Sequence, residues 1–292
     1  MSAPEAVQEE AAPRLFAATV ATPFVATQGN RLSLLWAAAV ASTLDRIRLG
    51  EGALLAVNVS LIAYQGAPPL HAVIQAVISV LVIGLMYAFN DLYDAPTDWN
   101  NPKKDRTLVA TWVEHRRVGT LAILGLKVVA LVVAFVLLGP RAGAAVAGVM
   151  VFNVVYSVAL KGVPVIDVAW CGMWGVLYAA IVGAPVSLLV VVGLMTAVCH
   201  LFQALGDRVS DAAAGITTTA VRSRVLSRNV LLALCSLLFL ALRGPLGIAA
   251  LTSFTPLALF FAMANPRSGW LLTKVYFGVM WLCLLGVSGA AG

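Results

Sequence analysis

Residues 70–98 read LHAVIQAVISVLVIGLMYAFNDLYDAPTD. From Leu70 to Phe89 there is no Asp, Glu, Lys or Arg; an amide, Asn90, and three carboxylates, Asp91, Asp94 and Asp98, then follow. A helix needs about 20 mostly apolar residues to cross the hydrocarbon of a bilayer. The stretch reads as a membrane span that closes on concentrated negative charge.

The rest of the chain has the same character. Of its 292 residues, 61% are hydrophobic and 11% charged, and the mean hydropathy is +0.94, which excludes an ordinary soluble domain. Nine spans are expected, near 50–65, 70–90, 118–138, 141–160, 164–183, 187–206, 226–243, 245–263 and 270–289. The fold class is therefore all-α, a multi-spanning transmembrane helical bundle. Residues 31–44 are apolar but too short to cross and read as an interfacial helix. Residues 1–30 lack the features of a secretory signal and read as a cytoplasmic tail ahead of a membrane domain over 31–292. Cys171, Cys199, Cys235 and Cys283 stand singly in apolar stretches and read as packing residues.

Basic residues gather on one face, in the N-terminal region and in the loops holding 103–117, Lys161, 208–228 and 267–274; the opposite face holds Arg141 and Arg243. Lys127 falls inside the third span. Cytoplasmic loops carry the excess of Lys and Arg, so the pattern predicts a multi-pass cell-membrane protein with a cytoplasmic N-terminus and an external C-terminus. The net charge of +6 does not point to nucleic acid, because there is no soluble basic domain to bind it.

The ending of the second span recurs at the end of the sixth. Asn90, Asp94 and Asp98 are matched by Gln203, Asp207 and Asp211, again an amide and two carboxylates at i, i+4 and i+8. Each step of four residues advances only about 40° around a helix, so each trio forms a polar stripe on one face. Pro96 is expected to bend or end the first of these helices, and Asp91 lies off its stripe. Four crossings separate the two stripes, which puts both on the cytoplasmic face. One such cluster would pass for ordinary loop charge; two matched clusters call for a compensating cation, since grouped carboxylates repel and are costly to desolvate. Mg²⁺ suits this role, because it commonly joins one or two carboxylates to substrate phosphates and keeps several waters. Asp94, Asp98, Asp207 and Asp211 are the candidate metal ligands, and Lys103, Lys104, Arg106, Arg208 and Arg222 are available to neutralise a diphosphate.

The paired motifs resemble the Asp-rich signatures of the UbiA superfamily of intramembrane prenyltransferases. The first is N-x-x-x-D-x-x-x-D; the second, D-x-x-x-D followed by Gly and Thr, is matched by Asp207, Asp211, Gly215 and Thr218. Leu44-Asp45-Arg46, and Tyr156 with Lys161 and Pro164, agree as well. The likeness spans roughly residues 40–290; it departs at Arg106-Thr107, at Ala110-Thr111, at Ile47 and at Ala212. The resemblance implies nine helices around a central cavity, with Asn90, Asp94, Asp98, Asp207 and Asp211 catalytic. It further implies that Arg46, Lys103, Lys104, Arg106, Lys161, Gln203 and Arg208 bind an isoprenyl diphosphate, with Mg²⁺ as cofactor. The expected activity is transfer of the isoprenyl group to an aromatic, quinone-like or lipid acceptor. Tyr93, Tyr156, Trp170, Trp174 and Tyr178 are available to face the allylic cation.

The same ionisation would serve a terpene cyclase. Asn101-Pro102-Lys103-Lys104 also resembles the segment after the first motif in enzymes that transfer phosphoribosyl to decaprenyl phosphate. A cation-coupled transporter is the alternative outside enzymes, but transporters hold their ions near the bilayer midplane and not at helix ends. His200, Asp167 and Lys127 also stand out. His200 reads as a hydrogen-bonded helix histidine or a base, Asp167 as a partner of Lys161 or a substrate contact, and Lys127 as a snorkelling or paired charge.

Overall fold

The computed structural model describes residues 31–46, 52–99 and 104–290, and among them every regular element is helical. The N-terminal tail expected over 1–30 lies outside the described residues. α1 (Arg31–Arg46) comes first, and α2 (Ala53–Tyr64) stands where the first span was expected. The twelve residues of α2 rise only about 18 Å, too little to cross alone. α1 was expected as an interfacial helix, but it packs lengthwise along α3 (Pro69–Asp98). Thr43 Oγ1 lies 3.2 Å from where a Cβ on Gly84 would stand, and burial of Leu35 and Ala38 beside Ile83 and Leu92 holds it there.

α4 (Arg106–Glu114) is a short helix started by Asp105, whose carboxylate accepts from Thr107 N and Leu108 N. α5 (Arg116–Leu138) and α6 (Pro140–Val155) follow, and α6 runs into a π-helical turn at Tyr156–Leu160. Then come α7 (Ile166–Ala180), α8 (Val186–Ala213), α9 (Thr219–Arg222) and α10 (Arg224–Leu246). The apolar stretch Arg224–Ala262 of 39 residues is two spans. Gly247, at φ +56°, turns a 3-10 segment, Gly247–Phe254, back along α10, where Ser253 Oγ donates to Cys235 O at 3.3 Å. α11 (Thr255–Ala262) and α12 (Pro266–Ala290) complete the bundle.

Six stretches among the described residues are long and apolar enough to cross a membrane. With Arg224–Ala262 divided in two, and with the shorter α2 and α7, each of the nine expected spans has a helical counterpart. The outer faces are apolar, as lipid requires: α5 buries Ile123, Ala130 and Ala134 but exposes Leu121, Val128, Val132 and Val136. One core forms around α3 with α1, α4, α5 and α6, and another around α8 with α2, α10 and α12. α7 serves both. Gly172 on α7 and Gly193 on α8 approach so closely that a Cβ on either would stand 3.1 Å from the other's carbonyl oxygen, the small-residue contact that lets membrane helices pack backbone to backbone. Asn58 of α2 joins the halves by donating to Ser79 Oγ at 3.0 Å and to Tyr178 O at 3.1 Å.

A second buried joint lies beside the motif ends. Asp167, fully buried, accepts from Thr219 N at 2.8 Å, from Thr219 Oγ1 and from Val168 N. Thr219 Oγ1 in turn accepts from Val165 N at 2.7 Å. Val165 has φ +71°, a left-handed conformation that a β-branched residue adopts only when its surroundings enforce it. Asp167 therefore ties the loop after α8 to the start of α7; Lys161, one of the two partners open to it from the sequence, goes to Asp94. Thr219→Val would leave a buried carboxylate short of one donor and Val165 N without its acceptor. The expected loss is about 1–3 kcal/mol, read as a lower Tm of the detergent-purified protein.

Candidate active site at the ends of α3 and α8

α3 remains helical through Pro96 as far as Asp98, so Asn90, Asp94 and Asp98 do share one helical stripe. The carbonyl of Asp94 accepts from Thr97 Oγ1 at 2.7 Å, one turn further on. Lys104 Nζ bonds Asp98 Oδ2 at 2.9 Å and reaches Asp91 Oδ1 at 3.5 Å, so the off-stripe aspartate shares this lysine with the stripe. Lys161 Nζ bonds Asp94 Oδ2 at 2.6 Å. Asn90 Oδ1 accepts from Asn153 Nδ2 at 2.7 Å and from Ser157 Oγ at 2.8 Å.

The second stripe, Gln203, Asp207 and Asp211, lies on the last turns of α8. Gly215, at φ +72°, turns the chain out of the helix, with Ile216 N bonded to Asp211 O at 2.9 Å. Thr218 then starts α9, its hydroxyl accepting from Val221 N. Both motif ends stand at one end of the bundle, since the charges acting on Lys161 are those of Asp94, Asp211 and Asp98. Burial opposes the charge of Lys161, but these carboxylates outweigh it and hold its pKa above the ordinary lysine value. A cation thus sits between the stripes. It is delivered by the π turn, where Lys161 N bonds Tyr156 O five residues back. The same turn directs Tyr156 OH to His200 Nε2 at 3.3 Å.

Beneath the carboxylates lies a cavity of about 400 Å³ between α2, α7, α8 and α12. Its walls are apolar side chains such as Leu54, Met195 and Phe277 together with Trp174, Trp270 and Trp281. Ser60, Thr196, His200, Gln203 and Lys274 are the polar residues among its lining. Gln203 is one turn before Asp207, about 6 Å along α8, so the cavity opens toward the carboxylate end. Trp174 is the expected aromatic that lines it. Trp170 stacks on Phe152, with ring centroids 4.0 Å apart; Tyr178 is buried and donates to Ser79 O; Tyr93 lies under Arg116.

Arg106 and Arg208 are exposed at this end of the bundle. Lys103 and the side chain of Arg46 lie outside the described residues. Trp270, Lys274 and Trp281 were not singled out from the sequence, although their spacing of four and eleven residues sets them within about 40° of one another on a helix. Asn153 was also missed. Among the described residues no three His, Cys, Asp or Glu side chains converge into a cage for a metal ion. The donors present, carboxylate pairs on two facing helices, suit a hard cation that takes the rest of its ligands from water and phosphate.

The comparisons agree with this architecture. The UbiA prenyltransferase family matches residues 52–287. A lycopene elongase/hydratase of Haloarcula japonica is 34% identical over 145 residues, 46% of this chain and 48% of that protein; the chain thus matches about half the length of this curated relative. A UbiA homologue of Archaeoglobus fulgidus bound to GPP and Mg²⁺ superposes with a TM-score of 0.58 at 16% identity, covering 82% of this chain and 99% of that one. A structure concerning digeranylgeranylglyceryl phosphate synthase superposes with a TM-score of 0.62 at 14% identity, over 90% and 99%. At such identities these two structures speak for the fold. With the family matched across most of its length, its paired motifs in register and its spans in order, the chain belongs to the UbiA prenyltransferase family.

Proposed function

We propose that the protein is a Mg²⁺-dependent intramembrane prenyltransferase, moving an isoprenyl group from an isoprenyl diphosphate to a hydrophobic acceptor and releasing pyrophosphate. The observation that carries this reading is the gathering of Asp94, Asp98 and Asp211 around Lys161 at the mouth of an apolar cavity. A diphosphate fits the charged end and an isoprenoid chain the apolar one. Family membership, and the likeness in fold to a homologue bound to GPP and Mg²⁺, support it.

In this reading Asp94, Asp98, Asp207 and Asp211 hold Mg²⁺, which when bound would stabilise the negative charge that develops on the departing diphosphate. Lys161 and Lys104 exchange carboxylate oxygens for phosphate oxygens, and Arg46, Lys103, Arg106 and Arg208 add positive charge around them. Asn90 and Gln203 offer amide donors. The rings of Trp174 and Trp281 exclude water from the allylic chain and are available to favour positive charge on it, while Lys274 covers the ring of Trp270 at 3.5 Å. Apolar walls favour an apolar acceptor, and the partial match to a lycopene elongase/hydratase makes a long polyene the first to try. The carboxylate end is cytoplasmic in this scheme, a reading supported by the basic residues gathered there and by Arg141 and Arg243 at the other end.

Three measurements test the reading. Pyrophosphate release by the detergent-purified protein, assayed with a panel of allylic diphosphates and a polyene acceptor, is expected to require Mg²⁺. It should fall by about a hundredfold or more in Asp94→Ala and Asp207→Ala, with the elution of a folded protein retained; wild-type rates in both would overturn the proposed site. Gly278 lines the cavity with open space beside it, so Gly278→Phe should fill the chain's path. Its kcat/KM for a C20 diphosphate is expected to fall about tenfold relative to a C10 diphosphate, and an unchanged ratio would place the isoprenoid elsewhere. In intact cells, a membrane-impermeant maleimide should label a cysteine introduced at Arg141 and spare one introduced at Gly162.

A further inference from the structure

Lys127 lies in the middle of α5, buried, with its Nζ 4.2 Å from the centroid of the Phe89 ring. A charge is retained at such a depth only where it has a partner or a task. Its partner is neutral: Nζ donates to Asn153 Oδ1 at 2.7 Å. Asn153, also buried, donates from Nδ2 to Asn90 Oδ1 at 2.7 Å, and Ser157 Oγ donates to the same oxygen at 2.8 Å. The chain thus runs from α5 through α6 to the first residue of the carboxylate stripe on α3.

The direction of this chain follows from chemistry. An ammonium has three donors and no acceptor, so Asn153 must turn its oxygen to Lys127 and its NH₂ to Asn90. Asn90 must then turn its oxygen to α6, which leaves its NH₂, on the opposite branch of the amide, for the site. Were the chain reversed, Asn90 would present an oxygen to the substrate and repel an anion. We infer that Lys127, acting through Asn153, sets the polarity of this hydrogen-bond chain so that Asn90 donates to the diphosphate. Lys127 and Asn153 are positioning residues, and the inference rests on the prenyl-diphosphate reading above.

The test uses the full-length protein in detergent, with geranyl diphosphate and Mg²⁺ as the probe, and measures KM, kcat and Tm. Lys127→Met removes the donor that holds Asn153. Asn153→Asp keeps a partner for Lys127 but offers Asn90 only acceptors. In both variants the KM for the diphosphate is expected to rise about tenfold, from reversal of one hydrogen bond to an anion, with a smaller change in kcat. Asn153→Asp, which pairs with Lys127, is expected to keep the wild-type Tm and carries the test should Lys127→Met fail to fold. In an Asn90→Ala background neither change should raise KM further, because the residue they act through is gone. Wild-type KM in folded Asn153→Asp, or a full additional rise in the Asn90→Ala background, would overturn the inference. Absence of Mg²⁺-dependent turnover in the wild type with every allylic diphosphate tried would overturn the prenyl-transfer reading itself, and this inference with it.

Discussion

Two rows of carboxylates at one end of an apolar bundle repel each other, and the fold answers that repulsion with Lys161, bonded to Asp94 at 2.6 Å and subject to the charges of Asp211 and Asp98. Three elements must agree for this to happen. α3 has to stay helical past Pro96 so that Asp94 and Asp98 face the same way. The π turn after α6 has to set the register that turns Lys161 inward. α8 has to be long enough to bring Asp211 to the same level. The tight contact of Gly172 with Gly193 and the buried hold of Asp167 on Thr219 fix α8 and the loop beyond it against α7. The charge cluster is thus held by joints buried just beneath it.

This arrangement separates two solvents by one helical turn. Above Gln203 are carboxylates and lysines suited to a metal-bound anion; below it are the apolar walls and tryptophans of the cavity. A diphosphate ester of a long hydrocarbon has the same division, with the bond to be broken at the junction. Electrostatic stabilisation is strongest where water is excluded, and here the aromatic cavity begins within about 6 Å of the charge. Membership of the UbiA prenyltransferase family fits that division of labour.

Much of this was legible beforehand, for reasons specific to the elements concerned. Spans show in sequence because lipid forces every backbone group into its own helix, and Leu70–Phe89 has no other use. The stripes show because i, i+4, i+8 is a property of one helix. Contacts between helices do not show in that way. Asp167 was open between substrate and Lys161, and the partner turned out to be Thr219, 52 residues away in sequence. α1 looked too short for anything but an interface, yet Leu35 and Ala38 gain burial along α3. Lys127 read as a snorkelling or paired charge, and its partner is a neutral amide on the next helix.

Apolar length, charge asymmetry and helical periodicity are local quantities, and from them alone come the membrane, the helical class, the span order and the two acidic helix ends. Which cation sits between the stripes, how the π turn shifts the phase of Tyr156 and Lys161, and which wall α12 turns to the cavity depend on side chains far apart in sequence. Those are settled by packing, because ion pairs and amide networks at helix ends are chosen by distances of 2.6–3.5 Å that no spacing along one helix encodes.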